Sequence, residues 1–160
     1  MTLVDLNKLL VSILQKTSQL KKRFINEKLG SIDYVGIFPK NSENRQEFTS
    51  LIKSLDAKVA YWDDDGELYQ ITIPIKTDFG EIKLIKVCRE NSIYNPKSNK
   101  IGYVDYQVKN YEILKEKYKN QIPFTFIYGN GREILSLQEP EFDVSVYIPN
   151  IPLSKDLGLS

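Results

Sequence analysis

Two stretches of the chain carry the same succession of hydrophobic patterns, and that internal repeat frames every other reading. In residues 31–89 a strand-like run at 32–38 closes on Pro39. A helix follows, with Ser42 as its cap and Arg45, Phe48, Leu51, Ile52 and Leu55 at helical spacing. Alternating runs come next at 58–62, 67–75 and 81–89, separated by the turns Asp63-Asp64-Asp65-Gly66 and Asp78-Phe79-Gly80. Residues 101–149 repeat the order: a strand at 101–108, a helix opened by Asn110 and carrying Tyr111, Leu114, Lys117 and Tyr118, then strands at 123–128, 133–137 and 142–148. Asn130-Gly131 marks a tight hairpin there, and Pro140 separates the last two strands. Two β-α-β-β-β units in succession predict an α+β fold with pseudo-twofold symmetry, each unit contributing one curved sheet.

Ahead of the repeat, residues 2–28 read as one amphipathic helix. Leu3, Leu6, Leu10, Ile13, Leu20 and Phe24 form its stripe, Thr17 fills the gap, Thr2 caps the start, Asp5 sits in the first turn, and Gly30 serves as a stop. Such a stripe has to be covered, either by the domain behind it or by a second copy of the chain. Residues 90–100 are polar, with little to bury, and read as a linker between the halves; residues 151–160, with Pro152 and Gly158, read as a loosely held tail. The expected organisation is a helix over 1–30, a domain over 31–150 built of units 31–89 and 101–149, and the tail.

Composition narrows the chemistry. Among 160 residues there is no His and a single Cys, Cys88. Imidazole acid–base catalysis, serine and cysteine triads and the common zinc and iron sites are therefore excluded. Lys and Arg number 22 against 21 acidic residues, a balance that speaks against a nucleic-acid partner. No apolar run approaches the roughly 18 residues of a membrane span. With Asp5 where a secretory signal would be basic, the expected location is cytoplasmic, without a membrane partner.

Four stretches give the chain a family likeness: Ile32-Asp33-Tyr34-Val35-Gly36-Ile37; Asp65-Gly66-Glu67-Leu68 with the following Ile71 to Pro74; Gly102-Tyr103-Val104-Asp105-Tyr106-Gln107-Val108; and Val146-Tyr147-Ile148-Pro149. In order and spacing they resemble the vicinal oxygen chelate superfamily of glyoxalase, bleomycin-resistance and extradiol dioxygenase proteins. The leading helix is most similar to that of the YecM-like branch. The resemblance implies two modules forming an open cup, in which inward His and Glu residues ordinarily hold a divalent metal.

Strand alternation assigns inward positions to that cup. Val35 and Ile37 face the core, so Ile32, Tyr34 and Gly36 face the cup; Val104, Tyr106 and Val108 face the core, leaving Tyr103, Asp105 and Gln107 inward. Tyr34 and Asp105 then stand where the family would place His. Cys88 or Arg89, with Glu90 beyond, and Asp143, Ser145 and Tyr147 fall at the two remaining ligand positions. Only Asp105 keeps a metal-binding group, so neither a metal nor another cofactor is expected. The resulting expectation is a metal-free cup that binds a small molecule through Tyr34, Tyr103, Asp105, Gln107 and Tyr147, unless Tyr34 and Asp105 bond each other and close it. Alternatives are an enzyme using Asp105 with Tyr34 as acid and base, or an atypical oxygen-bound metal at Asp105 with Asp143 or Glu90. A third is an interaction module that forms a homodimer. Three further features take plain readings: the Asp63–Gly66 turn as a solvated hairpin, Lys21-Lys22-Arg23 as a solvated helix face, and Cys88 as a small buried hydrophobe.

Overall fold

In a computed structural model, which describes residues 1–129 and 131–159, the chain forms a mixed α/β fold with one open eight-stranded sheet. In chain order the elements are α1 (Leu3–Phe24), β1 (Ile32–Ile37), α2 (Ser42–Lys53), β2 (Ala57–Asp63), β3 (Gly66–Thr77) and β4 (Gly80–Cys88), followed by β5 (Gly102–Tyr106), α3 (Tyr111–Tyr118), β6 (Phe124–Gly129), β7 (Arg132–Gln138), β8 (Val144–Pro149) and α4 (Leu153–Asp156). Asn130, expected in the second unit's hairpin, lies outside the described residues.

The strands run in the order β2-β3-β4-β1-β5-β8-β7-β6. β1 pairs in parallel with β4 and β5 pairs in parallel with β8, while the antiparallel β1–β5 pair joins the halves in the middle of the sheet. Each half thus repeats the other's order and pairing. Two glycines let the central strands close on what surrounds them. A Cβ at Gly102 would stand 2.5 Å from the Gly36 carbonyl oxygen and 2.5 Å from Ile13 of α1, and one at Gly36 would fall inside the Tyr103 ring.

α1, α2 and α3 cover one face of the sheet. Leu6, Leu10, Ile13, Leu14 and Leu20 of α1 pack with Phe48 and Ile52 of α2, with Leu114 of α3, and with the facing side chains Val35, Ile85, Val104 and Val146. The stripe is therefore buried within the chain, although Leu3 at its start is exposed. A reciprocal capping box opens the helix: the Thr2 hydroxyl accepts from the Asp5 amide at 3.2 Å, and the Asp5 carboxylate accepts from the Thr2 amide at 2.8 Å. Thr2→Ala should cost about 1 kcal/mol in a urea denaturation experiment, and Thr2→Ser should restore it.

Several local expectations are corrected. The helix stops at Phe24 and does not run to residue 28, because tertiary contacts claim the chain: the Tyr118 hydroxyl of α3 accepts from the Asn26 amide at 3.1 Å, and Tyr118 and Lys117 both bond Glu27. Asn41, not Ser42, caps α2, its side chain accepting from the Asn44 amide, and Asn110 makes no side-chain cap at all. Ile32 packs with the helices and not into the cup, because a register shift between Ile32 and Tyr34 turns the strand there.

The tail is not loose. Leu153 of α4 is buried, Leu157 and Leu159 pack beside it, and the Ser154 amide donates to Asp33 at 3.1 Å. The linker is not simply solvated either: Ser92, Tyr94, Asn95 and Lys100 are buried, with Asn95 bonding the Lys100 backbone through both ends of its amide. Among the described residues no helix is long and apolar enough to cross a membrane.

Candidate functional site

The face of the sheet turned away from α1, α2 and α3 gathers the residues of interest. Tyr34 lies directly opposite Asp105 across β1 and β5, and Gly36 lies opposite Tyr103. Opposed residues of an antiparallel pair share a face. β8 adds Tyr147 opposite Asp105, and β4 adds Leu84 and Cys88. Sequence alternation thus places Tyr34, Tyr103, Asp105 and Tyr147 correctly on one face.

The space between them is filled. Tyr103 is fully buried, edge-on to Tyr34 with centroids 5.6 Å apart and tilted against Tyr147 at 4.6 Å. Phe38 reaches it from the end of β1, and Tyr94 reaches it from the supposed linker at 5.9 Å. The Tyr147 hydroxyl donates to the Tyr94 carbonyl at 3.0 Å, which holds the 90–100 segment across this face. Leu153 of α4 packs into the same cluster. Where an open cup is expected, an aromatic core lies under two covering segments. The cover does not come from Tyr34 and Asp105: Tyr103 donates to Tyr34 at 3.2 Å, and Tyr94 and Leu153 close the face.

Two buried charge clusters flank these rings, one in each half. In the second half, Asp105 is 0% exposed and neither carboxylate oxygen has a hydrogen-bond partner. Arg132 of β7 points at it from 3.9 Å, beyond hydrogen-bonding distance, while its own Nε is unpartnered and its Nη1 donates to the Ile151 carbonyl at 3.3 Å. Burial pushes the Asp105 carboxyl up to about 8; Arg132, with the nearby Tyr34 hydroxyl and Lys86, pulls it down only in part, and Asp33 adds to the rise. The same burial holds the Tyr34 and Tyr103 hydroxyls far above the ordinary phenol range.

In the first half, Lys86 of β4 is 2% exposed and sits 3.4 Å from Asp65 and 3.6 Å from Asp63. Burial opposes its charge, yet the field of Cys88, Asp65 and Asp63 more than offsets that, and its pKa is raised. The Asp63–Gly66 turn is accordingly a structural clamp, not a solvated hairpin. Asp63 accepts from the Asp65 and Gly66 amides, and Asp65 accepts from the Ile93 amide of the crossing segment. Cys88 is buried, with its thiol pushed up to about 12 by desolvation, which suits an inert side chain.

Other expected site residues lie apart. Gln107 is half-buried and donates to Asp33 at 3.0 Å near α4, away from the ring cluster. Asp143 turns to the helix face and pairs with Lys16 of α1 at 3.0 Å, and Glu90 pairs with Arg45 at 3.0 Å. Neither carboxylate is brought to Asp105, and among the described residues no three acidic or Cys side chains gather as metal ligands. Asp33, Lys86, Tyr94 and Arg132 escape the sequence reading. Lys86 alone had a signal, since alternation sets it between Leu84 and Cys88 on the inward face.

No protein-family model and no curated protein matches the chain in sequence. Among solved structures, Protein EC4020 from structural genomics superimposes with a TM-score of 0.72 at 7% identity, over 98% of this chain and 91% of that one. A hypothetical protein from Bacillus halodurans C-125 aligns with a TM-score of 0.41 at 16% identity, over 76% of this chain and 92% of that one. The first likeness shows a shared fold.

Proposed function

We propose that the chain is a glyoxalase-like protein, similar to the YecM-like branch of the vicinal oxygen chelate superfamily, without that family's usual metal site, and that it binds a small polar molecule at Asp105. Support for the family reading is the repeated β-α-β-β-β order with its central β1–β5 seam. One observation carries the binding reading: a wholly buried carboxyl with both oxygens unpartnered, facing a buried guanidinium 3.9 Å away. Native structures seldom leave a buried acceptor empty, because doing so costs roughly 1–3 kcal/mol, more for a charge. A ligand with one donor for Asp105 and one acceptor for Arg132 would relieve both, and it reaches them only when the covering 90–100 segment or α4 moves aside. The expected metal-free character rests on the donor set, since Glu90 and Asp143 are each engaged elsewhere and one carboxyl is a poor holder of a hard cation.

A thermal-shift screen of small amides, hydroxy acids and amines on the full chain tests this. The expected hit raises the wild-type melting temperature by several degrees and leaves Asp105→Ala unmoved; equal stabilisation of both proteins removes Asp105 from the site. Asp105→Asn serves as a second variant, since it keeps the shape and has no titrating proton. The acid–base alternative is favoured by the burial of Asp105, which pushes its carboxyl up to about 8, in the range where a general acid or base works at neutral pH. Turnover of the hit compound by wild type and not by Asp105→Asn would favour catalysis over binding alone.

A further inference from the structure

A second site lies outside the ring cluster, at the end of the sheet where β1 begins. A groove of about 1000 Å³ opens there between the last turn of α1, the extended 25–31 segment, the tip of the β3–β4 hairpin and the α4 tail. Its walls are apolar at Ile25, Leu29, Phe79, Tyr106 and Leu159. Five lysines line it: Lys21, Lys22, Lys28, Lys83 and Lys155.

None of these lysines has a carboxylate partner among the described residues, and what sets them apart from the chain's other unpaired cations is that they gather at one groove. Lys16, Arg23, Arg45, Lys86, Lys115, Lys117, Lys119 and Arg132 all sit in ion pairs; none of the five groove lysines does. Three acids line the groove against the five lysines and offset their charge only in part. Glu27 is paired with Lys117 of α3, whereas Asp33, bonded only by the neutral Gln107 and Ser154, and Glu81 have no ion pair among the described residues. In a protein of net charge +1, an excess of positive charge is thus collected at one concave place.

Lys21 marks its centre. The ammonium is half-buried, stands 4.0 Å over the Tyr106 ring, and has Lys22 as its charged neighbour. Desolvation and that like charge lower its pKa, with no counter-charge to offset them. An anion arriving at this point supplies what the folded chain lacks. The size of the groove and its apolar walls match an organic molecule and exceed what a bare inorganic ion fills.

We propose that this groove binds an organic anion, its carboxylate or phosphate held by Lys21 with Lys22, Lys83 and Lys155 at the rim, and its apolar body laid against Ile25, Leu29, Phe79 and Leu159. The site is separate from Asp105 and stands whether or not Asp105 binds anything.

Calorimetric titration of the full chain with octanoate and with octyl phosphate tests the assignment, with 1-octanol and inorganic phosphate as comparators and amide chemical shifts to place the contact. Both anions should bind saturably, octanol and inorganic phosphate at least tenfold more weakly, and the shifted amides should include Lys21, Ile25 and Phe79. The Lys21→Gln/Lys83→Gln variant should lose tenfold or more in affinity with an unchanged melting temperature, and Lys83→Gln alone should lose severalfold. Raising NaCl from 50 to 500 mM should weaken binding through screening, and Asp105→Asn should leave it unchanged. A preference between the two anions would separate a carboxylate from a phosphate ligand within the same chemistry. The proposal is overturned by octanol binding as tightly as octanoate, by wild-type affinity in the double variant, by shifts confined to Tyr34, Tyr103 and Tyr147, or by the absence of saturable binding of both anions at millimolar concentration.

Discussion

Asp105→Asn should abolish most of the chain's loss of stability between pH 4 and pH 8. The folded-state pKa of about 8 lies above the ordinary value of 3.8, so across this window the folded protein keeps a proton that the unfolded chain has released. Stability is therefore full below about pH 4 and falls as pH rises through 8, at about 1.4 kcal/mol for each unit of pKa difference. The expected loss is on the order of 5 kcal/mol, a large share of what a domain this size possesses. Asn fills the same space and has no proton to lose, so its stability should change far less over the window. Above pH 8 the variant should be the more stable protein. Urea denaturation at several pH values reads both curves, and parallel curves would show that Asp105 remains ionised in the folded state. Arg132→Met belongs in the same series. Removing the nearer of the two cations that pull Asp105 down should raise its folded-state pKa and carry the decline to higher pH.

Gly36→Ala should be among the most damaging single-methyl additions available. Its Cβ would lie 2.0 Å from Cε1 and 2.3 Å from Cζ of Tyr103, well inside van der Waals contact. The ring has nowhere to retreat, since Tyr34, Phe38, Tyr94 and Tyr147 surround it. Overpacking of a core costs roughly 1–3 kcal/mol, and a ring fixed on four sides puts this case at the upper end, about 3 kcal/mol. Attribution to Tyr103 is checked by a double-mutant cycle. In a Tyr103→Leu background the added methyl should cost less than about 1 kcal/mol, giving a coupling of roughly 2 kcal/mol. Equal costs in both backgrounds would assign the damage to the strand pairing and not to the ring.

What could be read from the sequence follows from the reach of each signal. Periodicity and turn residues act over a few positions, and they located every strand and the three longer helices to within a few residues of their ends. Alternation also placed Tyr34, Tyr103, Asp105 and Tyr147 on one face, because period two survives wherever the register is regular. It failed at Ile32, where the register shifts, and at Asp143, which precedes β8 and follows no strand alternation. Nothing local distinguishes Tyr94 from a solvated residue in an Asn- and Ser-rich stretch; its burial depends on Tyr147, 53 positions away. Arg132 was hidden for the same reason, since it is identified by Asp105 on another strand. The absence of His directs attention to Asp105, but the filled interior around it is a tertiary fact.

The placement of α1 has a consequence for the order in which the chain is made. This helix leaves the ribosome before any other described element, yet the strands it covers, β5 and β8, extend to Pro149, and its Lys16 pairs with Asp143, 127 positions later. At roughly 5–20 residues per second, the stripe from Leu6 to Leu20 waits on the order of ten seconds for its partners. During synthesis the helix is an apolar surface without a cover, and the interval ends only when the second half of the repeat has been built.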